Sequence, residues 1–272
     1  MPGTMDALAS LDPYFERIGL HGTPTLAALH RAHVVTIPFE NLDPHRGVPV
    51  SLELEALERK LIAQRRGGYC FEHNLLLAAV LRALGAEVEP MLARVRVGRA
   101  PGVPRPRTHL VLRVRAGGQV WLADVGFGSG TLLEPIPFGP GEVHEQSGWR
   151  VRLVQDGAEH VLQTATDSGW SDLYGFVPEP VPAVDIETSN WFTSTYPRSL
   201  FVTGLIVARH AADGSMAVLS DWSGDLVMTE QTPARSAVSR PAAADIPRLL
   251  ADRFRLPGFA LDGDGRVTLA AR

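Results

Sequence analysis

Cysteine is all but missing from this 272-residue chain: Cys70 is the only one. A single thiol cannot close an internal disulfide or gather the thiolates of a cysteine metal site, so neither device underlies the fold. No metal is expected, and a reducing, cytoplasmic setting is. Lysine is as scarce, with Lys60 alone among 26 basic residues, and the net charge is -4. That balance lacks the cationic surface that binding nucleic acid demands. The arginines are scattered, apart from a loose group at Arg94, Arg96, Arg99, Arg105 and Arg107 that reads as a solvated edge. No apolar run approaches the roughly 20 residues of a membrane span, so no membrane partner is expected. Met1 to Asp12 lacks the basic and apolar blocks of a secretory signal.

What is present is a hydrophobic content of 45%, enough to bury a sizeable core in two or three structural units. Residues 12–85 read as helices. Asp12-Pro13 and Thr23-Pro24 each place a capping residue before a proline at the first helical position. The second pattern carries Leu26, Leu29, His30 and His33 at helical spacing. A proline-punctuated loop follows, in which Ile37, Phe39 and Leu42 plug the core while Glu40 and Asn41 bond loop backbone. Ser51 is expected to cap a helix bearing Leu54, Leu57 and Leu61, with Gly67-Gly68 as its end. An apolar helix then runs from Cys70 to Leu84 and stops at Gly85.

From Val88 the hydrophobic period changes to two. Strands at 108–115 and 120–125 flank Gly117-Gly118 as a hairpin, and more short strands are expected at 149–154, 160–164, 202–208, 216–219 and 225–228. Such spacing describes an antiparallel barrel or sandwich. Pro178 to Pro182 marks a boundary or tight crossing, Asp245 caps a helix with Pro247 in its first turn, and Asp262-Gly263-Asp264-Gly265 is a turn without the remaining ligands of a calcium loop.

Cys70 falls at a helix start, where unpaired N–H groups, the positive end of the helix dipole and neighbouring arginines favour an anionic sulfur. On residues 65–74 alone, a nucleophile and a packed small hydrophobe fit equally well. The hairpin supplies the partners. With the turn centred on Gly117-Gly118, Val111 faces Asp124 and His109 faces Gly126, which puts His109 and Asp124 on one face as a diagonal pair about 7 to 8 Å apart at the backbone. A one-residue slip would send them to opposite faces. A base, a carboxylate that fixes its tautomer, and a thiol make an acyl-transfer machine: the sulfur takes the acyl group as a thioester and a second nucleophile removes it. Water as that nucleophile makes a hydrolase, an amine a transferase. His73 is a weaker candidate base. Gly126, Gly128 and Gly130 precede prolines rather than a helix, so they let backbone pass close to the site instead of forming a dinucleotide fingerprint.

Arg66-Gly67-Gly68-Tyr69-Cys70-Phe71-Glu72-His73-Asn74 resembles the RGGxCxExN signature of the arylamine N-acetyltransferase family. Pro38 to Asp43, Thr108-His109, Asp124 to Gly128, and Asn190 through Phe201 are similar to further family segments in the same order, across roughly residues 10–210. The resemblance implies an α+β fold: a helical bundle (1–87), a central antiparallel β-barrel (88–195) and a C-terminal α/β lid (196–272), with a cysteine-protease-like Cys-His-Asp core. It implies a catalytic triad of Cys70, His109 and Asp124, and Arg66 with Glu40 as a supporting polar network. Phe39, Tyr69, Phe127 and Phe201 would line the substrate pocket, with Thr108, Gly126 and Gly128 on the pantetheine path. Acetyl-CoA would be the donor as cosubstrate, with no permanently bound cofactor, and arylamines, arylhydrazines or N-hydroxyarylamines the acceptors. Amide synthases that close macrolactams share the triad, and a papain- or transglutaminase-like hydrolase uses the same residue order. Oligomeric state is not fixed by any of these features.

Overall fold

The structure, a computed structural model, describes residues 8, 10–98, 103 and 105–270. Arg99, from the expected basic edge, lies outside them. The N-terminal part is helical: α1 (Asp12–Ile18), α2 (Leu26–Thr36), α3 (Leu42–His45), α4 (Leu54–Leu57) continuing into a π turn (Glu58–Ala63), and α5 (Cys70–Ala83). A two-residue strand, β1 (Phe39–Glu40), interrupts them. Every residue of α5 from Cys70 to Leu81 is buried, as its all-round apolar pattern requires.

The helix starts differ from the sequence reading in a consistent way. Asp12 lies inside α1 rather than capping it. At α2 the cap is Thr25, whose hydroxyl accepts the Ala28 N–H at 3.2 Å, so Pro24 precedes the helix instead of opening it. Ser51 accepts only the Glu53 N–H, at 3.3 Å, and α4 begins beyond it. Gly67 and Gly68 are not helix stops: the chain leaves the π turn through Arg65, with a left-handed φ of 53°. The two glycines serve close approach instead. A Cβ on Gly67 would sit 2.1 Å from the Pro38 carbonyl oxygen, and one on Gly68 2.7 Å from a Glu72 carboxylate oxygen.

The middle of the chain forms eight antiparallel strands: β2 (Glu87–Val95), β3 (His109–Ala116), β4 (Gln119–Ala123), β5 (Ile136–Pro137), β6 (Val143–Gln146), β7 (Trp149–Asp156), β8 (Glu159–Thr166) and β9 (Gly169–Phe176). Their order, β5-β4-β3-β2-β9-β8-β7-β6, makes a nearly closed barrel. The β3–β4 hairpin has the expected register, Ala116 opposite Gln119 and Leu112 opposite Ala123, because Gly117 and Gly118 take positive φ values of 59° and 76° in a two-residue turn. The ladder stops at Ala123, so Asp124 is free of strand pairing. β3 is buried on both faces: Leu112 and Val114 pack with α5, and Val111 points into the barrel with Met91, Leu122, Leu162 and Tyr174.

After the proline-rich crossing come α6 (Ala183–Thr195) and α7 (Leu200–Thr203), where Ser199 caps the N–H of Phe201. The strand expected from residue 202 therefore starts only at Ile206. The C-terminal lid holds β10 (Ile206–His210), β11 (Met216–Ser220), β12 (Val227–Thr232), β13 (Arg235–Ser239), α8 (Ile246–Asp252), and a hairpin of β14 (Phe259–Leu261) and β15 (Val267–Leu269). Asp262 turns that hairpin by accepting the N–H groups of Asp264 and Arg266. The lid sheet takes its edge strand from far upstream, since β1 pairs with β10 through Phe39–Ala208 and Glu40–Val207. Bundle, barrel and lid thus meet around Phe39 and Cys70, which share one buried cluster with Leu92, Leu110, Ile206 and Ala208. Among the described residues no helix is long and apolar enough to cross a membrane.

Because backbone rather than a flexible side chain occupies the space beside Gly67, Gly67→Ala should destabilise the fold by roughly 3 kcal/mol. Gly139→Ala, which meets nothing within 4 Å, should change it by less than about 0.5 kcal/mol. Urea unfolding of the two variants makes the comparison.

Candidate active site

Cys70 is the first residue of α5, its helix start tied down by Glu72, whose carboxylate accepts the Tyr69 N–H at 3.0 Å. The thiol is buried and lies 3.5 Å from the Thr108 carbonyl oxygen, and it is close enough to the His109 ring to act on its charge. His109 opens β3, and its Nε2 is 2.8 Å from Asp124 Oδ2. Nδ1 is therefore the ring nitrogen left to face sulfur. The ring is held in place by Tyr174 and Phe127, at centroid distances of 4.8 and 5.0 Å.

Asp124 has no exposure at all, so its charge must be met inside the protein. Besides His109, its Oδ1 accepts from Asn74 Nδ2 at 3.0 Å and from the Gly126 N–H at 2.9 Å. The Tyr174 hydroxyl faces the same carboxylate without closing a hydrogen bond. Asn74, one helical turn after Cys70, also donates to the Leu110 carbonyl at 2.7 Å and accepts from Val125 N at 3.1 Å. One amide therefore ties the cysteine helix to both arms of the hairpin. Gly126 lets the second arm come in: a Cβ there would lie 2.8 Å from Cys70 Cα.

The electrostatics follow from this burial. Burial opposes charging His109, but the Asp124 carboxylate and the contact with Cys70 outweigh it, and its pKa is pushed up to about 10. Asp124 is held below the usual carboxylate range: burial works against ionisation, and His109, Asn74 and Gly126 overcome it. Arg66 does not supply the cation beside sulfur that its position in the sequence suggested. Its guanidinium is committed to Glu40 and Asp43, at 2.6 and 2.7 Å. Lys60, brought inward by the π turn, bridges Asp43 and Glu72 at 2.7 Å each. Asp43 is held down to about 2, because Lys60 and Arg66 more than offset its burial.

The residues singled out for binding fall into separate groups. Beside Cys70, Phe201 meets both Phe39 and Tyr69, at centroid distances of 6.3 and 5.4 Å, and the Tyr69 hydroxyl is on Asn190. Phe127 stands on the other side of His109, against Tyr174. Thr108 offers its carbonyl to the thiol. Gly128, with φ 79°, packs on the Phe39 ring, and its carbonyl accepts from His210 Nε2 at 2.8 Å. His73 is wholly buried in a chain running from the Tyr14 hydroxyl through His33 to His73 and the Pro38 carbonyl, with links of 2.8, 2.8 and 3.2 Å. It neither faces solvent nor competes as a base. A cavity of about 510 Å³ lies away from the thiol, lined by Arg209, Glu230, Arg235 and Arg253 of the lid, and includes none of these groups. Sequence reasoning missed the roles of Asn74, Asp43, Lys60 and Glu72. Asn74 had a signal, a polar side chain one turn from Cys70 where the helix is otherwise turning apolar.

Comparison with known proteins gives the family and the fold. A family model described as N-acetyltransferase matches residues 23–258. The chain is 47% identical over 207 residues to the arylamine N-acetyltransferase of Mycolicibacterium smegmatis, covering 73% of this chain and 75% of that one. It is 35% identical over 251 residues to an arylamine N-acetyltransferase / N-hydroxyarylamine O-acetyltransferase of Salmonella typhimurium, covering 90% and 88%. Its fold is similar to the structure of the Mycobacterium marinum arylamine N-acetyltransferase in complex with CoA. The TM-score is 0.85 at 38% identity, over 91% of this chain and 93% of the other.

Four histidines behind the site bear on stability. Burial pushes the pKa of His30 and of His73 down to about 4, and those of His33 and His210 also fall. In the unfolded chain each returns to about 6.5, so unfolding takes up protons below that pH. The stability from keeping them neutral is complete above pH 6.5 and lost as pH falls towards 4, at about 3 kcal/mol each for His30 and His73. The urea midpoint should therefore drop steeply between pH 6.5 and 4.5. A flat profile over that range would contradict the assignment.

Proposed function

The chain belongs to the arylamine N-acetyltransferase family and is an acyltransferase, and from that premise we propose that it carries acetyl from acetyl-CoA to arylamines and arylhydrazines through acetyl-Cys70. N-hydroxyarylamines would accept on oxygen, the activity named for the Salmonella relative. The observation that supports this most directly is the 2.8 Å His109–Asp124 hydrogen bond, beside the only thiol of the chain, which lies 3.5 Å from the carbonyl of the residue before His109.

In this reading His109 Nδ1 takes the proton of the thiol, and Asp124 stabilises the imidazolium that results. The thiolate adds to the thioester carbonyl of acetyl-CoA, and N–H groups of the first turn of α5 hold the oxyanion. Collapse breaks the bond to the CoA sulfur, which leaves with the proton from His109. The amine then attacks acetyl-Cys70, His109 takes a proton from nitrogen, and collapse returns the thiol and releases the N-acetyl product. Phe39 and Phe201 on one side of Cys70, and Phe127 beside His109, offer faces and edges to an aromatic amine. Tyr69 sets the position of Phe201, while Thr108, Gly126 and Gly128 form the backbone past which the pantetheine arm would run. Arg66 and Glu40 brace the loop carrying Phe39. Burial of Cys70 and His109 limits access of water, which supports an amine over hydrolysis as the fate of the thioester.

Incubation with acetyl-CoA should add about 42 Da, the mass of one acetyl group, to a peptide containing Cys70. An arylamine should discharge the adduct much faster than buffer alone. An intact protein that stays unlabelled would sink the proposal, and discharge equally fast in buffer would make it a hydrolase. Cys70→Ala should remove transfer altogether. Asp124→Asn should fold yet turn over roughly a thousandfold more slowly, because His109 is left misoriented.

A further inference from the structure

His30 has no part in the steps above, yet it is fully buried and holds the main chain of Asp124 directly. The Asp124 N–H donates to His30 Nε2 at 3.1 Å, and His30 Nδ1 lies 3.1 Å from the Leu133 carbonyl oxygen. These partners settle the ring's state. An N–H needs an acceptor at Nε2, a carbonyl needs a donor at Nδ1, and only the neutral ring protonated on Nδ1 meets both. Asp124 and Leu133 are the two ends of the loop that carries Gly126, Phe127 and Gly128. The far end is fixed again by Arg31, the next residue of α2, which pairs with Glu134 at 3.1 Å. Gln146 there accepts the N–H groups of Leu133 and Glu134.

We propose that His30 is a positioning residue for the transfer reaction: by clasping both ends of loop 124–133, it sets the backbone from which Asp124 reaches His109. Where the hairpin ladder ends at Ala123, the N–H of Asp124 would otherwise be a buried donor without a partner, and the imidazole replaces the missing strand. The ionisable groups around the ring are the Asp124 carboxylate, which favours protonation, and His33 one turn along α2. Burial prevails over the carboxylate and keeps the ring neutral at physiological pH. A charged ring would turn an N–H towards the Asp124 N–H and break the clasp.

The proposal rests on the acetyl-Cys70 reading for its kinetic consequence, but its structural core can be tested without activity. Nitrogen NMR of the whole protein, labelled in histidine and backbone, should show His30 unprotonated at Nε2 at neutral pH. It should also show a scalar coupling across the hydrogen bond from Asp124 N. A protonated Nε2, or an imidazolium, would overturn the proposal whether or not any variant folds. His30→Leu removes the acceptor and His30→Gln keeps a donor and an acceptor. In His30→Leu the limiting rate of Cys70 acetylation at saturating acetyl-CoA should fall roughly tenfold to a hundredfold, as for a misplaced catalytic group. The KM for donor should change little, and the His109 ring titration should move down from its wild-type value. His30→Gln should recover most of both. A role confined to packing would lower the melting temperature of each variant and leave the His109 titration where it was, which would count against the proposal, as would a Gln variant no better than Leu. Failure of the wild-type protein to take up acetyl would refute the functional reading alone, because the tautomer and the His109 titration would still decide the role of His30.

Discussion

A carboxylate with no contact with solvent sits at the junction of three parts of this protein, and its charge must be matched there. Asp124 meets that demand with His109 on one oxygen and with Asn74 and Gly126 on the other. Leaving such a charge uncompensated costs several kcal/mol, a large share of the stability of any domain. The donors come from β3, from α5 and from the loop after β4, so satisfying one charge also fixes the bundle against the barrel. The same contacts orient the imidazole towards the thiol. Stability and the geometry of the proposed catalysis are here one requirement.

A second buried assembly does similar work on the other side of α5. Glu40, Asp43 and Glu72 are matched by Arg66 and Lys60 within hydrogen-bonding distance, and Glu72 also caps the helix that begins with Cys70. Glu40 lies in β1, whose other residue, Phe39, is paired into the lid sheet. The ionic cluster thus links the start of the Cys70 helix to the strand joining bundle and lid. Gly67 and Gly68 let those segments come together, since side chains there would collide with Pro38 and Glu72.

How much of this could be read from the sequence depended on the range of the interaction. The β3–β4 register was legible because two adjacent glycines dictate a two-residue turn, and a period of two then fixes which side chains share a face. The burial of α5 was legible because its apolar residues cover every side. Helix starts at Thr25 and Glu53 were misplaced by proline and serine signals nearby, because a cap is decided by which side chain reaches the open N–H groups, and that geometry is set by the following turn. Partners far apart in sequence left little trace. Nothing local to Phe39–Glu40 says that it pairs with residues 207 and 208, and nothing local to His30 names Asp124 or Leu133.

Lys60 gives the ionic cluster one further meaning. It carries the only side-chain primary amine in the chain, and that amine is held between Asp43 and Glu72 with burial outweighed by their charges, so it stays protonated. A protonated amine has no lone pair to offer. In the proposed reaction with an activated thioester, the chain therefore has no lysine on its surface to be acylated by its own reagent, and its other basic side chains apart from histidine are guanidinium groups, which are inert to such esters.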